Sequence, residues 1–311
     1  MPFEMPKNFQ PFTIKKEEDS ERFRPLTIEE KEELGLEEKR REIASPVLRA
    51  FWKNPENQNE RKIEFDIQKE IQVFDKIYSD KLGIKIDQKE VVAIWNRNFE
   101  SIKKEIETYG YDTVLIIPEN LPDEAVINDK IIETMDEGVG KGKIKQTWQN
   151  SNFTDGGSFA GVRNLEASKC RIILTKGEQN MSETNDPLLK ATLGKNVLGL
   201  TGLSESEIAD RIQKGGELPI NFKVSIAGKE TEIKTEGLSL SEYMIFQGLY
   251  FEKNKKHLDE KGWTWLTKSC SGSRVVGSGW DPDSRQLNVI ADDSSNSDGD
   301  LGLRLSRSFS N

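Results

Sequence analysis

GWTWLTKSCSGSRVVGSGWDPDSRQLNVIADDSSNSDGDLGLRLSRSF, residues Gly262 to Phe309, is the stretch whose reading decides the fold. From Arg285 to Asp292 it alternates. Leu287, Val289 and Ala291 fall on one face of an extended chain and Gln286, Asn288, Ile290 and Asp292 on the other, which predicts a strand with a core face and a displayed face. Leu301, Leu303, Leu305 and Phe309 repeat the pattern with Arg304, Ser306 and Ser308 opposite, and predict a final strand. Trp263 and Trp265 share a face in the same way. Ile290 is the odd member, an aliphatic in a row that is otherwise polar.

Composition sets the same stretch apart. With 35 Glu and 31 Lys in 311 residues, the tail Ser271 to Asn311 would hold about nine of them if it were built like the body. It holds none. Ser278 to Asp300 is mostly Asn, Asp and Ser, with Trp280, Gln286 and a few glycines and aliphatics at intervals.

The run WTWL, then SGSRVVGSGW, then RQLNV, then LGLRLSRSF resembles the C-terminal part of the variable proteins of diversity-generating retroelements. These belong to the formylglycine-generating-enzyme-like branch of the C-type lectin fold. The likeness is specific over the C-terminal quarter and thins toward Asp112. In that family a reverse transcriptase rewrites Asn-type codons at adenines; the products include Asp, Ser, Gly, Tyr and Ile but not Glu, Lys, Gln, Met or Trp. The resemblance therefore accounts for the missing Glu and Lys, for the Asn/Asp/Ser excess and for Ile290. It implies a variable region over about 275–303, displaying Ser278, Asp281, Asp283, Ser284, Asn288, Ile290, Asp292, Asp293, Ser294, Ser295, Asn296, Ser297, Asp298 and Asp300. Trp263, Trp265, Trp280, Gln286, Leu287, Val289, Leu303 and Arg304 are then scaffold.

Upstream, Ser239 and Glu242 form a capping box, with Leu238 and Tyr243 placed as a hydrophobic staple. Tyr243, Phe246 and Tyr250 are expected to face the core. Ser204 with Glu207 caps another helix that ends at Gly215 and Gly216. Asn221–Ile226 and Glu230–Thr235 flank Ala227 and Gly228 as a hairpin. Arg171–Thr175 and Thr113–Ile117 read as buried strands, and Asp155 to Gly157 as a turn. Asp123 opens a helix expected to reach Glu137. GVGKGK, Gly138 to Lys143, follows a helix and lacks the Ser/Thr after Gly-Lys, so it reads as a basic loop and not a phosphate loop.

The first 110 residues are expected to form an arm and a helical module, with a C-type-lectin-like α+β domain over 111–311. Pro2, Pro6, Pro11 and Pro25 mark the arm. Thr27 with Glu30 caps a charged helix, and Ser45 with Pro46 starts a short one. Arg61–Leu82 stripes Ile63, Ile67, Ile71, Phe74 and Tyr78 and stops at Gly83; Asp87 with Glu90 opens a helix that stops at Gly110. An antiparallel helical pair is the plain reading, an oligomerisation or attachment module the sharper one.

A net charge of −9 argues against a generic nucleic-acid partner. No apolar run has the length of a membrane span, and MPFEMPKNFQ lacks a signal-peptide core, so synthesis in the cytoplasm is expected. Cys170 and Cys270 exclude a disulfide framework. His257, near a helix end, reads as a positive partner for the helix dipole and not as a catalytic base. The related oxidases carry paired cysteines in the C-terminal part of the domain; Cys270 stands alone there, which argues against an enzyme. Calcium is the stronger rival. Asn296, Asp298 and Gly299 echo positions three, five and six of an EF-hand loop, but Ser294 and Leu305 fall at positions one and twelve, where ligands are required. This fails as an EF-hand, and a calcium-dependent lectin-like binding protein, its cation held by the carboxylates crowded on Asp292–Asp300, stays the alternative. The expected protein is a non-enzymatic binder of an unidentified ligand, a protein or cell-surface molecule, with no cofactor and no metal.

Overall fold

In the computed structural model, residues 65–135, 147–149, 159, 162–164, 169–226 and 228–311 are described. All of them belong to one compact unit, Ala44–Asn311. The expected arm, the helices opened by Thr27 and Ser45, the basic loop at 138–143 and the turn at 155–157 lie outside the described residues.

Helix α1, Ile67–Ile77, starts where the Asp66 carboxylate accepts from the backbone N–H groups of Gln68 and Lys69. It widens into a π turn, Tyr78–Leu82, and stops at Gly83 in the left-handed region. Asp87 caps α2, Gln88–Tyr109, in the same manner, and Gly110 ends it. Their apolar stripes do not pair only with each other. Strands β1, Thr113–Ile117, and β4, Arg171–Thr175, run antiparallel with β11, Ser306–Ser310, in the order β1-β4-β11. Helix α1 packs on β1, and α2 on β4 and β11. The buried Tyr78 hydroxyl donates to the Ile116 carbonyl at 2.7 Å. The boundary expected at residue 110 is therefore not a break in packing: α1 and α2 share the core of the sheet that follows them.

Asp123 caps α3, Glu124–Ile127, which passes into a π turn, Asn128–Ile132, short of the expected reach to Glu137. Two-residue strands β2, Trp148–Gln149, and β3, Arg163–Asn164, come next. After β4 lie α4, Pro187–Lys190, α5, Val197–Thr201, and α6, Glu205–Gln213, the last with its capping box formed by Ser204 and Glu207. The hairpin is β5, Ile220–Ile226, with β6, Lys229–Thr235. Helix α7, Leu240–Asn254, carries the second capping box and is buried on all sides over Leu240–Leu249, as befits a helix through the middle of a core.

Strands β7, Trp263–Ser271, β8, Arg274–Asp281, and β9, Gln286–Asp292, make an antiparallel meander. The sheet is completed by β10, Leu301–Gly302, parallel to β7, by β2, parallel to β9, and by β3 against the far end of β7. The single final strand expected over Leu301–Phe309 is in fact two, one in each sheet. The chain crosses between them at Leu303–Leu305, all three residues buried.

Candidate functional site

Pairing across β8 and β9 assigns the side chains of these two strands to a face. Val275, Gly277, Gly279 and Asp281 stand opposite Asp292, Ile290, Asn288 and Gln286. Val276, Ser278 and Trp280 stand opposite Ala291, Val289 and Leu287, and all six are buried. One face of β9 is thus core, while Gln286, Asn288, Ile290 and Asp292 are half-buried. Gln286, expected as scaffold, stands in the displayed row and donates to Asn288 Oδ1 at 3.0 Å.

The displayed row rests on glycine. A Cβ on Gly277 would stand 3.2 Å from Ile290 Cγ1, and one on Gly279 3.2 Å from Trp263 Cδ2 and 2.7 Å from the Gly262 carbonyl. The missing methyl groups are what let Ile290 and the Trp263 ring lie against the sheet.

Ser278 is not displayed. It shares the face of Trp280, is fully buried, and its hydroxyl donates to the Asn288 carbonyl at 2.9 Å. Parity with Trp280 carries the reason: one face of a strand takes every second residue. Asp281, Asp283 and Ser284 form the β8–β9 turn, with Asp281 accepting from the Asp283 and Ser284 N–H groups. The Ser284 hydroxyl bond holds the Asp281 carboxyl below the usual carboxylate range.

The loop from 293 to 300 exposes Asp293, Ser295, Asn296, Ser297 and Asp298. Ser294 is buried, a second departure from display, because its carbonyl is drawn onto the Leu198 N–H at 3.2 Å. Asp300 is half-buried and hands its carbonyl to the Trp263 N–H at 2.9 Å. Its Oδ1 has no partner among the described residues, and burial, helped by Asp298, pushes its pKa up.

Beneath the core face lies a polar hub that the sequence reading missed. Arg304 and Asp259 are both fully buried, and Arg304 donates from Nη2 at 2.7 Å and from Nε at 3.2 Å to the Asp259 carboxylate. Tyr243 and Thr264 hydroxyls donate to the same carboxylate at 2.9 and 2.8 Å. The remaining guanidinium N–H groups reach the carbonyls of Lys176, Glu178 and Gln179. Burial works against the guanidinium charge, but the Asp259 carboxylate together with Tyr243 and Tyr250 raises the Arg304 pKa on balance. Asp259 sits in NKKHLDEKG, a run that reads as solvated, and Arg304, expected as scaffold, gave no sign of its partner; it lies in the crossover between β10 and β11.

His257, expected as a positive partner for a helix dipole, lies in the core. It is buried between Phe251 and Trp280, stacked on Trp280 at 3.6 Å between ring centres, and its Nδ1 meets Gln247 Nε2 at 3.1 Å. Gln247 Oε1 is engaged by the Leu258 N–H, which orients the amide so that Nε2 donates to Nδ1.

Cys170 precedes β4 in the three-stranded sheet, whereas Cys270 is in β7. Burial, with Glu90 next, pushes the Cys170 thiol up to about 12. Burial also raises Cys270, against the pull of Arg163. Cys270 and Arg163 line a cavity of about 510 Å³ beside α6, together with Ala209, Gln213, Gly272 and Ser273. No group of three or more His, Cys, Asp or Glu among the described residues is placed to hold a metal ion, and no helix among them is long and apolar enough to cross a membrane.

Fold and site together define a mixed helix-and-sheet protein with a half-buried strand row and an exposed polar loop at one end of its largest sheet. Set against known protein families, curated proteins and solved structures, the chain matches none.

Proposed function

We propose that this protein is a non-enzymatic ligand-binding protein whose C-terminal surface is diversified in the manner of the variable proteins of diversity-generating retroelements, on a C-type-lectin-like scaffold. The observation that carries the reading is the division of β9: Leu287, Val289 and Ala291 are fully buried, while the alternate positions and the loop that continues them are open to solvent to differing degrees. Solvent-facing positions can change with little effect on the core, and an adenine-directed process would draw them from the Asn/Asp/Ser-rich set present there. The displayed set is Asn288, Ile290, Asp292, Asp293, Ser295, Asn296, Ser297, Asp298 and the half-buried Asp300, with the turn Asp281, Asp283 and Ser284 beside it. Ser278 and Ser294 are left out by their burial. A surface of this kind takes a protein or cell-surface molecule as its ligand, and the ligand differs from variant to variant.

The test is in the flanking DNA. A near-copy of the segment coding Val275 to Leu303, differing only at adenines of that copy and lying beside a reverse-transcriptase gene, is the expected finding. Flanking DNA with neither would sink the retroelement reading.

A further inference from the structure

The loop from 293 to 300 is bonded to the rest of the molecule almost wholly through its own carbonyls. Leu198 N–H donates to Ser294 O at 3.2 Å, Asn196 Nδ2 to Ser295 O at 3.1 Å, and Trp263 N–H to Asp300 O at 2.9 Å. Just past the loop, Gly194 N–H donates to Leu301 O at 2.9 Å. Three of these four donors come from one short segment, Gly194–Leu198. The loop's side chains bond mainly within it or to Asp292 at the end of β9, as Asn296 Nδ2 does to Asp292 Oδ2 at 2.6 Å; the long Arg274–Asp293 contact, 3.4 Å, is the exception. Every residue type presents the same carbonyl, so a bond to that carbonyl survives any substitution at its position.

We propose that Asn196 is a positioning residue for the display loop, a fixed clamp that holds the loop's main chain in one course whatever side chains it carries. This rests on reading the loop as a display surface. Asn196 has two bonds to make. Its Oδ1 caps α5 by accepting from Gly199 N–H at 2.8 Å, and the amide nitrogen left over points at Ser295 O. The cap fixes the side chain, and the fixed side chain fixes the loop. A ligand then meets a loop already ordered, which spares binding the entropy of ordering it.

The experiment places a nitroxide on the exposed loop through Ser297→Cys, with buried Cys170 and Cys270 left in place, and reads label mobility in solution. Asn196→Ser is the deciding variant. Serine caps a helix about as well as asparagine but has no amide to reach Ser295 O, so clamp and cap are separated. We expect Asn196→Ser to shorten the label's rotational correlation time about twofold or more, on the nanosecond scale of freed loops, with Tm nearly unchanged. Replacing Ser295, Asn296 and Asp298 together by Ala should leave the spectrum as it is in the parent. An unchanged spectrum in Asn196→Ser overturns the clamp, as does a triple loop variant as mobile as Asn196→Ser. Because the label needs no ligand, a failed clamp leaves the display reading to its own test.

Discussion

Asp259 and the aspartates of the 293–300 loop are the same residue put to opposite uses. At Asp259 the side chain is the structure: its carboxylate gathers Arg304, Tyr243, Thr264 and the Met181 N–H, all buried. In the loop the main chain is the structure, held at Ser294 O, Ser295 O and Asp300 O, while the exposed carboxylates of Asp293 and Asp298 make contacts that stay near the surface. A position whose side chain carries the fold cannot vary. A position whose carbonyl carries it can. The largest break in this contrast should therefore come at the hub. Asp259→Ala leaves a buried guanidinium without its counter-charge and should cost about 3–5 kcal/mol in denaturant unfolding, with Asp259→Leu/Arg304→Met recovering part of the loss. A cost near that of an ordinary surface change would mean the hub does not hold the fold.

The next effects come from β9 itself. Leu287→Ala should cost about 2–4 kcal/mol through lost burial and a cavity, and Val289→Ala somewhat less. Ser278→Tyr should be of similar size, about 1–3 kcal/mol, since a large ring has to enter a filled core face. A tolerated tyrosine at 278 would return that position to the displayed set. Ile290→Ala, half-buried over Gly277, should fall between the classes at about 1 kcal/mol.

Local chemistry made much of this fold readable in advance, and distance hid the rest. Asp87 and Gly110, Ser204 and Glu207, and Ser239 and Glu242 announce helix ends because a cap is settled within a few residues. The alternation of β9 is likewise local. Arg304 and Asp259 lie 45 positions apart and Asn196 and Ser295 99 apart, and nothing in either neighbourhood names the other. The hub and the clamp therefore had no local signature. The burial of Ser278 did have one, its parity with Trp280, which the serine's polarity obscured.

Acid should reveal the turn between β8 and β9. The Asp281 carboxyl, held low chiefly by the Ser284 hydroxyl, binds its proton more weakly folded than unfolded. Its contribution to stability is thus present above the unfolded value near 3.8 and is lost as pH falls through the lower folded value. Stability against pH in wild type and Asp281→Asn should differ above that window and converge below it. The effect is small because the carboxylate is partly exposed. Curves that stay parallel through the acid limb would show that the turn bonds are not formed in solution.

The smallest effects belong to the loop and bear hardest on the contrast. Asp293, Ser295, Ser297 and Asp298 are exposed, and apart from the long Arg274–Asp293 contact the bonds that hold the loop to the body are made by carbonyls that no substitution removes. Replacing each in turn by Tyr or Ala should change stability by no more than about 0.5 kcal/mol. Binding should run the other way: a ligand selected on one loop sequence should be lost by loop changes, while Leu287→Ala should weaken it only by unfolding the protein. A paired scan of melting and binding from Arg285 to Asp300 measures both. If loop positions cost as much stability as Leu287, the side chains there are holding the fold as Asp259 does. The surface would then have no freedom to vary.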